Sequence, residues 1–173
     1  MSLNINNKYN IALCGMMGSG KTAVGRLLAS RLSYKFFDTD KLIEKRLKKS
    51  IEDIFNEDGE IFFRSLEEQV IIDLLDEKKI IISLGGGSIL NGKIRKLIKR
   101  KSYNIYLQVK VDILAKRLKN SKNRPLIKNK NLYKILNELI KKRSKFYHKA
   151  DLIIDNEDGL SETVNKIINK INL

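Results

Sequence analysis

Cysteine, proline and tryptophan are nearly absent: 173 residues hold one Cys, one Pro and no Trp. A lone thiol, Cys14, excludes an intramolecular disulfide scaffold and points to a reducing compartment. No apolar run approaches the roughly 18 residues of a membrane-spanning helix. The first ten residues are polar and lack the apolar core of a signal peptide, so a cytoplasmic protein without membrane attachment is expected. Acidic residues are also few, 20 against 35 basic, for a net charge of +15. That excess invites a nucleic-acid reading. However, Lys outnumbers Arg 26 to 9 and nowhere forms a run of five. The charge reads as a compositional habit that attracts anionic substrates, and no nucleic-acid partner is expected.

The length suits one domain that can bury its own core. Short β-branched or aromatic runs alternate with segments of helical period. Strands are predicted at Tyr9–Cys14, Phe36–Asp38, Ile80–Leu84, Tyr103–Gln108 and Asp151–Asp155. Helices are predicted at Thr22–Leu32, Asp40–Leu47, Glu60–Asp76, Asn91–Arg100, Val111–Leu118, Leu132–His148 and Ser161–Ile171, with an N-cap at Ser50. Residues 119–131 are polar and read as a mobile loop. Such alternation implies a parallel sheet with helices on both faces, and ligands at the carboxyl ends of its strands.

Gly15-Met16-Met17-Gly18-Ser19-Gly20-Lys21-Thr22 matches the phosphate-binding pattern G-x-x-x-x-G-K-[ST] between a predicted strand and a predicted helix. Its N–H groups and helix dipole hold phosphates, Lys21 reaches the β- and γ-phosphates, and Thr22 holds Mg²⁺. A GTPase needs an Asn-Lys-x-Asp base reader. Asn129-Lys130-Asn131 lacks the aspartate and follows no strand. A small chain with one such loop reads as a kinase for a small acceptor.

Five signals appear in order along nearly the whole chain: Gly15–Thr22; Asp38-Thr39-Asp40; Gly59-Glu60 with Phe63-Arg64 and Glu67; Gly85-Gly86-Gly87; and Arg124-Pro125-Leu126 followed by Arg143, Tyr147 and Ala150. With them the chain resembles the shikimate kinases. The resemblance implies one three-layer α/β/α P-loop kinase domain over residues 1–173, with a five-stranded parallel sheet in order 2-3-1-4-5. It also implies an acceptor-binding region at about 39–67 and a lid at about 119–131. The implied reaction moves the γ-phosphate of ATP, with Mg²⁺, to the 3-hydroxyl of shikimate, on the route to chorismate and the aromatic amino acids, in a monomer.

The residue types suit that chemistry. Shikimate carries one carboxylate and three hydroxyls, and arginine's planar fork holds a carboxylate by two parallel hydrogen bonds. The resemblance gives that task to Arg64 and Arg143; Arg46, Arg95 and Arg100 read as surface residues. Asp38 and Asp40, two apart on a predicted strand end, face one side. By resemblance Asp38 supports Mg²⁺ with Thr22, and Asp40 binds acceptor hydroxyls and takes the 3-hydroxyl proton. An N-cap is the bland alternative for Asp40. Gly85, Gly86 and Gly87 bring backbone N–H donors to the acceptor. By resemblance Arg124 closes over the transferring phosphate and Arg117 packs on adenine, with Lys21, Asp40 and Arg124 as the catalytic groups. Asn156-Glu157-Asp158-Gly159 departs from the family's Arg- and Pro-bearing adenine loop. His148 reads as a surface residue, Cys14 as buried and apolar, Met16 and Met17 as loop packing, and Tyr103 and Tyr106 as core. A gluconate-kinase-like enzyme of the same fold and a nucleic-acid-binding ATPase are the alternatives, and neither accounts for the five signals together.

Overall fold

The computed structural model describes residues 9–119 and 131–171. Five parallel strands, β1 (Asn10–Cys14), β2 (Lys35–Asp38), β3 (Ile80–Ser83), β4 (Ser102–Gln108) and β5 (Leu152–Asp155), form one sheet in the order β2-β3-β1-β4-β5. Alternation along each strand divides the core. Ile11, Leu13, Ile81, Ile105 and Ile154 join α1 (Lys21–Leu32) and α8 (Leu160–Ile171) on one face. Ala12, Cys14, Ile80, Ile82 and Tyr106 join α4 (Gly59–Leu75), α5 (Gly92–Lys101), α6 (Val111–Lys119) and α7 (Leu132–Tyr147) on the other. Ile80, Ile81 and Ile82 are each 0% exposed, and burying such a side chain contributes about 1.5–3 kcal/mol. Central strands covered on both faces are apolar throughout for this reason. Edge strand β5, with Ile153 and Asp155 exposed, is not.

The remaining helices, α2 (Thr39–Leu47) and α3 (Ile51–Glu57), pack beside α4. The predicted cap at Ser50 is a full capping box: its side chain accepts from Asp53 N while Asp53 accepts from Ser50 N. A short 3-10 turn at Ser88–Leu90, which periodicity over three residues could not reveal, leads from the glycine triplet into α5. The expected lid falls almost wholly on residues 120–130, outside the described residues, as does Arg124.

This topology places the site. The chain leaves β1 toward β2 on one side of the sheet and leaves β3 toward β4 on the other, and β1 and β3 are neighbours. The crevice opens at such a switch point, past the carboxyl ends of both strands. The phosphate loop follows β1 and the glycine triplet follows β3, so both line it.

Candidate active site

At the mouth of β1 the loop curls as its glycines require. Gly20 caps α1 at φ 87°, a left-handed conformation, and a Cβ there would stand 2.5 Å from Asn156 Nδ2. Lys21 folds back on the loop, and Nζ donates to Gly15 O and Met16 O at 3.0 Å each. The Thr22 hydroxyl donates to Asp38 Oδ2 at 2.7 Å. Cys14, just before the loop, is buried, and burial pushes its thiol up to about 12, so it is no nucleophile.

Asp38 and Asp40 do not share a strand face. Strand β2 ends at Asp38, and helix α2 begins at Thr39. Asp38 supplies the N-cap, accepting from Lys41 N at 3.3 Å, so the capping alternative for Asp40 is wrong. The break separates their tasks. Asp38 turns to the phosphate loop, while Asp40 Oδ1 lies 2.7 Å from where a Cβ on Gly85 would stand.

Thr39 between them is fully buried. Its hydroxyl donates to Ser83 O at 3.2 Å and accepts from Gly85 N at 3.0 Å. This corrects one expectation: the Gly85 N–H serves the fold and not the acceptor. The triplet's glycines also answer a need for space, not for backbone freedom, since none has positive φ. A Cβ on Gly85 would meet Glu67 Oε1 at 2.6 Å, and one on Gly87 would meet Arg64 Nη2 at 2.7 Å.

Arg64 and Arg143 flank this loop. Arg64 extends from α4 over the rings of Phe63 and Phe55, 5.1 and 5.8 Å from their centroids. Nη1 donates to the buried Glu67 at 2.8 Å, and Nη2 donates to Glu60 at 3.2 Å. Burial opposes its charge, but Glu67 and Glu60 outweigh burial and raise its pKa. Glu67 accepts in turn from Ser88 Oγ at 2.6 Å, so one carboxylate ties the arginine to the loop. Arg143 is 9% exposed, and its Nε, buried, has no hydrogen-bond partner among the described residues. Its Nη1 lies 3.3 Å from where a Cβ on Gly86 would stand. An unsatisfied buried guanidinium nitrogen is costly.

Arg117 bridges two loops, donating to Gly18 O at 3.4 Å and Asn156 O at 2.9 Å. Asn156, in the divergent stretch, has every polar atom engaged. Nδ2 donates to Ser19 O at 2.7 Å and Oδ1 accepts from Thr163 Oγ1 at 2.7 Å; N donates to Gln108 O and O accepts from Arg117. That stretch therefore holds the phosphate loop from behind. Arg95 is no free surface residue: it donates to Ile89 O and Leu90 O at 2.8 Å and stacks on Phe146, 4.1 Å from the ring centroid. His148 is exposed, as expected. No described helix is long and apolar enough to cross a membrane.

A phosphate loop, with two arginines beside a glycine triplet at the same strand ends, defines the site of a P-loop kinase. A family model described as shikimate kinase matches residues 17–172. A shikimate kinase of Alteromonas mediterranea is 40% identical over 168 residues, covering 96% of this chain and 98% of that protein. The crystal structure of shikimate kinase from Bacteroides thetaiotaomicron superposes with a TM-score of 0.90 at 31% identity, over 95% of this chain and 98% of that one. The enzyme from Acinetobacter baumannii, solved in complex with shikimate, gives 0.89 at 34% identity, over 95% and 93%. The chain belongs to the shikimate kinase family.

Proposed function

We propose that the chain transfers the γ-phosphate of ATP to the 3-hydroxyl of shikimate, as a single domain and a monomer, and that Arg64 and Arg143 hold the shikimate carboxylate. The buried Arg143, whose Nε has no partner among the described residues and whose Nη1 lies beside the Gly86 position, with Arg64 beside Gly87, is the observation that carries this reading. A charge buried without a full set of partners is explained by a ligand that completes it. Glu67 and Glu60 hold the Arg64 fork ready, so little side-chain freedom is lost on binding.

Asp40 stands within reach of an acceptor over Gly85 and takes the proton of the attacking hydroxyl. Lys21, which here donates to the Gly15 and Met16 carbonyl oxygens, turns to the phosphates and stabilises charge on the group in flight. Mg²⁺ fits the donor set, because the Thr22 hydroxyl and the Asp38 carboxylate are hard oxygen ligands. It keeps waters and takes phosphate oxygens for the rest. Held by Thr22 and Asp38, such a cation would supply charge neutralisation of the phosphates. Arg117, which joins Gly18 to Asn156, stands on the nucleotide side and packs on adenine. The basic surface attracts ATP and needs no nucleic-acid partner.

The test is a double-mutant cycle on ADP release. Arg64→Ala should cost about 2–4 kcal/mol with shikimate, roughly 30- to 1,000-fold in kcat/KM. Shikimate methyl ester should be a poor substrate for the unaltered enzyme and nearly indifferent to Arg64→Ala, since its charge is already gone. Arg64 also neutralises buried Glu67, so the cycle is needed to separate carboxylate recognition from damage. Equal losses on acid and ester would overturn the assignment.

A further inference from the structure

Tyr147 lies four residues beyond Arg143 on α7, so both side chains leave the same face of that helix. Its ring is 1% exposed and stacks on Tyr106, with centroids 4.9 Å apart and planes 15° from parallel. A buried phenol requires a partner for its hydroxyl. Here that partner is the glycine loop itself: Oη donates to Gly86 O at 2.6 Å, with Met16 Sδ of the phosphate loop 4.0 Å away.

We infer that Tyr147 is a positioning residue for the acceptor: by holding the Gly86 carbonyl, its hydroxyl sets the direction of the Gly87 N–H. The inference rests on the reading of the triplet as the acceptor's cradle. A trans peptide is planar, so its C=O and the following N–H point in opposite directions. A Gly86 oxygen held by Tyr147 therefore turns the Gly87 N–H to the other side. Three successive glycines lack side chains that would resist rotation of these planes, so each plane needs an outside anchor. The first residue is anchored on both sides. Thr39 takes Gly85 N, while Ser88 N and Oγ donate to Gly85 O at 3.1 and 2.9 Å. The next plane is held by a side chain 61 residues away. It lies between the two arginines: a Cβ on Gly86 would approach Arg143 Nη1, and one on Gly87 would approach Arg64 Nη2. A rotated plane would alter the donor that the acceptor meets there, while Lys21, Thr22 and the phosphate loop keep their own anchors.

Tyr147→Phe keeps the ring and its stack and removes the hydroxyl, whose short bond is to Gly86 O and whose weaker contacts are with Met16 Sδ and the Arg143 guanidinium. We expect KM for shikimate to rise about tenfold, KM for ATP to stay within about twofold, and kcat to fall less than KM rises. Site-specific 4-aminophenylalanine at 147 restores a donor at the same place and should bring KM for shikimate back to within about threefold of the original. An unchanged KM for shikimate, a parallel rise in both KM values, or an amino variant no better than Phe each overturns the inference. A Phe variant that does not fold does so too, because it assigns the hydroxyl to stability. Shikimate-dependent ADP release by the unaltered enzyme, in the same assay, tests the proposed function separately. If it fails, that reading falls; if it succeeds and the variant ratio stays flat, only the role of Tyr147 falls.

Discussion

Thr39 holds the crevice together through one oxygen. Its hydroxyl joins the end of β2 to the end of β3 by accepting from Gly85 N and donating to Ser83 O. Thr39→Val keeps the shape and strands two buried backbone groups, at about 1–3 kcal/mol. Denaturant unfolding should show a lower midpoint with an unchanged m-value. Thr39→Ser, which keeps the oxygen, should retain most of the lost stability. Asn156 is the corresponding residue behind the phosphate loop. Asn156→Ala releases the Ser19 carbonyl and opens space against Gly20. KM for ATP should rise about tenfold while KM for shikimate holds. Equal movement of both constants would contradict a role confined to the nucleotide side. Neither residue announces itself in the sequence. A buried threonine between two aspartates and an asparagine after a strand acquire their roles from partners 46 and 137 positions away.

At the scale of elements, the short helices α2 and α3 form the side proposed to bind the acceptor, and neither has length enough to be stable alone. Their caps therefore matter. Asp38 caps α2 while it also accepts from Thr22, so one carboxylate starts the acceptor-side helix and serves the phosphate loop. In α3 the Ser50–Asp53 box orders seven residues that place Phe55 against Phe63, with ring centroids 4.7 Å apart, beneath the Arg64 guanidinium. Ser50→Ala should lower stability by about 1 kcal/mol. It should also raise KM for shikimate more than KM for ATP, because frayed α3 loosens the platform under Arg64. Steady-state kinetics beside a thermal melt separate the two effects. The capping box was readable as Ser-Ile-Glu-Asp, since capping is local. The aromatic platform was not, since Phe55 and Phe63 meet across a helix junction.

The whole molecule adds a field. With a net charge of +15 spread over 173 residues, the surface attracts a multiply charged nucleotide from a distance set by ionic strength. Raising salt from about 20 to about 300 mM should lower kcat/KM for ATP several-fold and leave kcat nearly unchanged. A kcat that fell in step would place the salt effect in the chemistry and not in the encounter.

The order of strands and helices along the chain and the phosphate loop were determined by the sequence alone, because period, propensity and glycine spacing act between near neighbours. Ile80-Ile81-Ile82 could only be a strand buried on both faces, and Gly15–Thr22 could only curl where it does. The tertiary structure decided the rest. It ended β2 at Asp38 and so sent two neighbouring carboxylates to different tasks, against the simple alternation of a strand. It took the Gly85 N–H for Thr39, made Arg95 a brace and left the Arg143 Nε without a partner among the described residues. Each of these depends on which distant atom stands within 3.5 Å, and that is settled only when the sheet order brings the ends of β1 and β3 side by side.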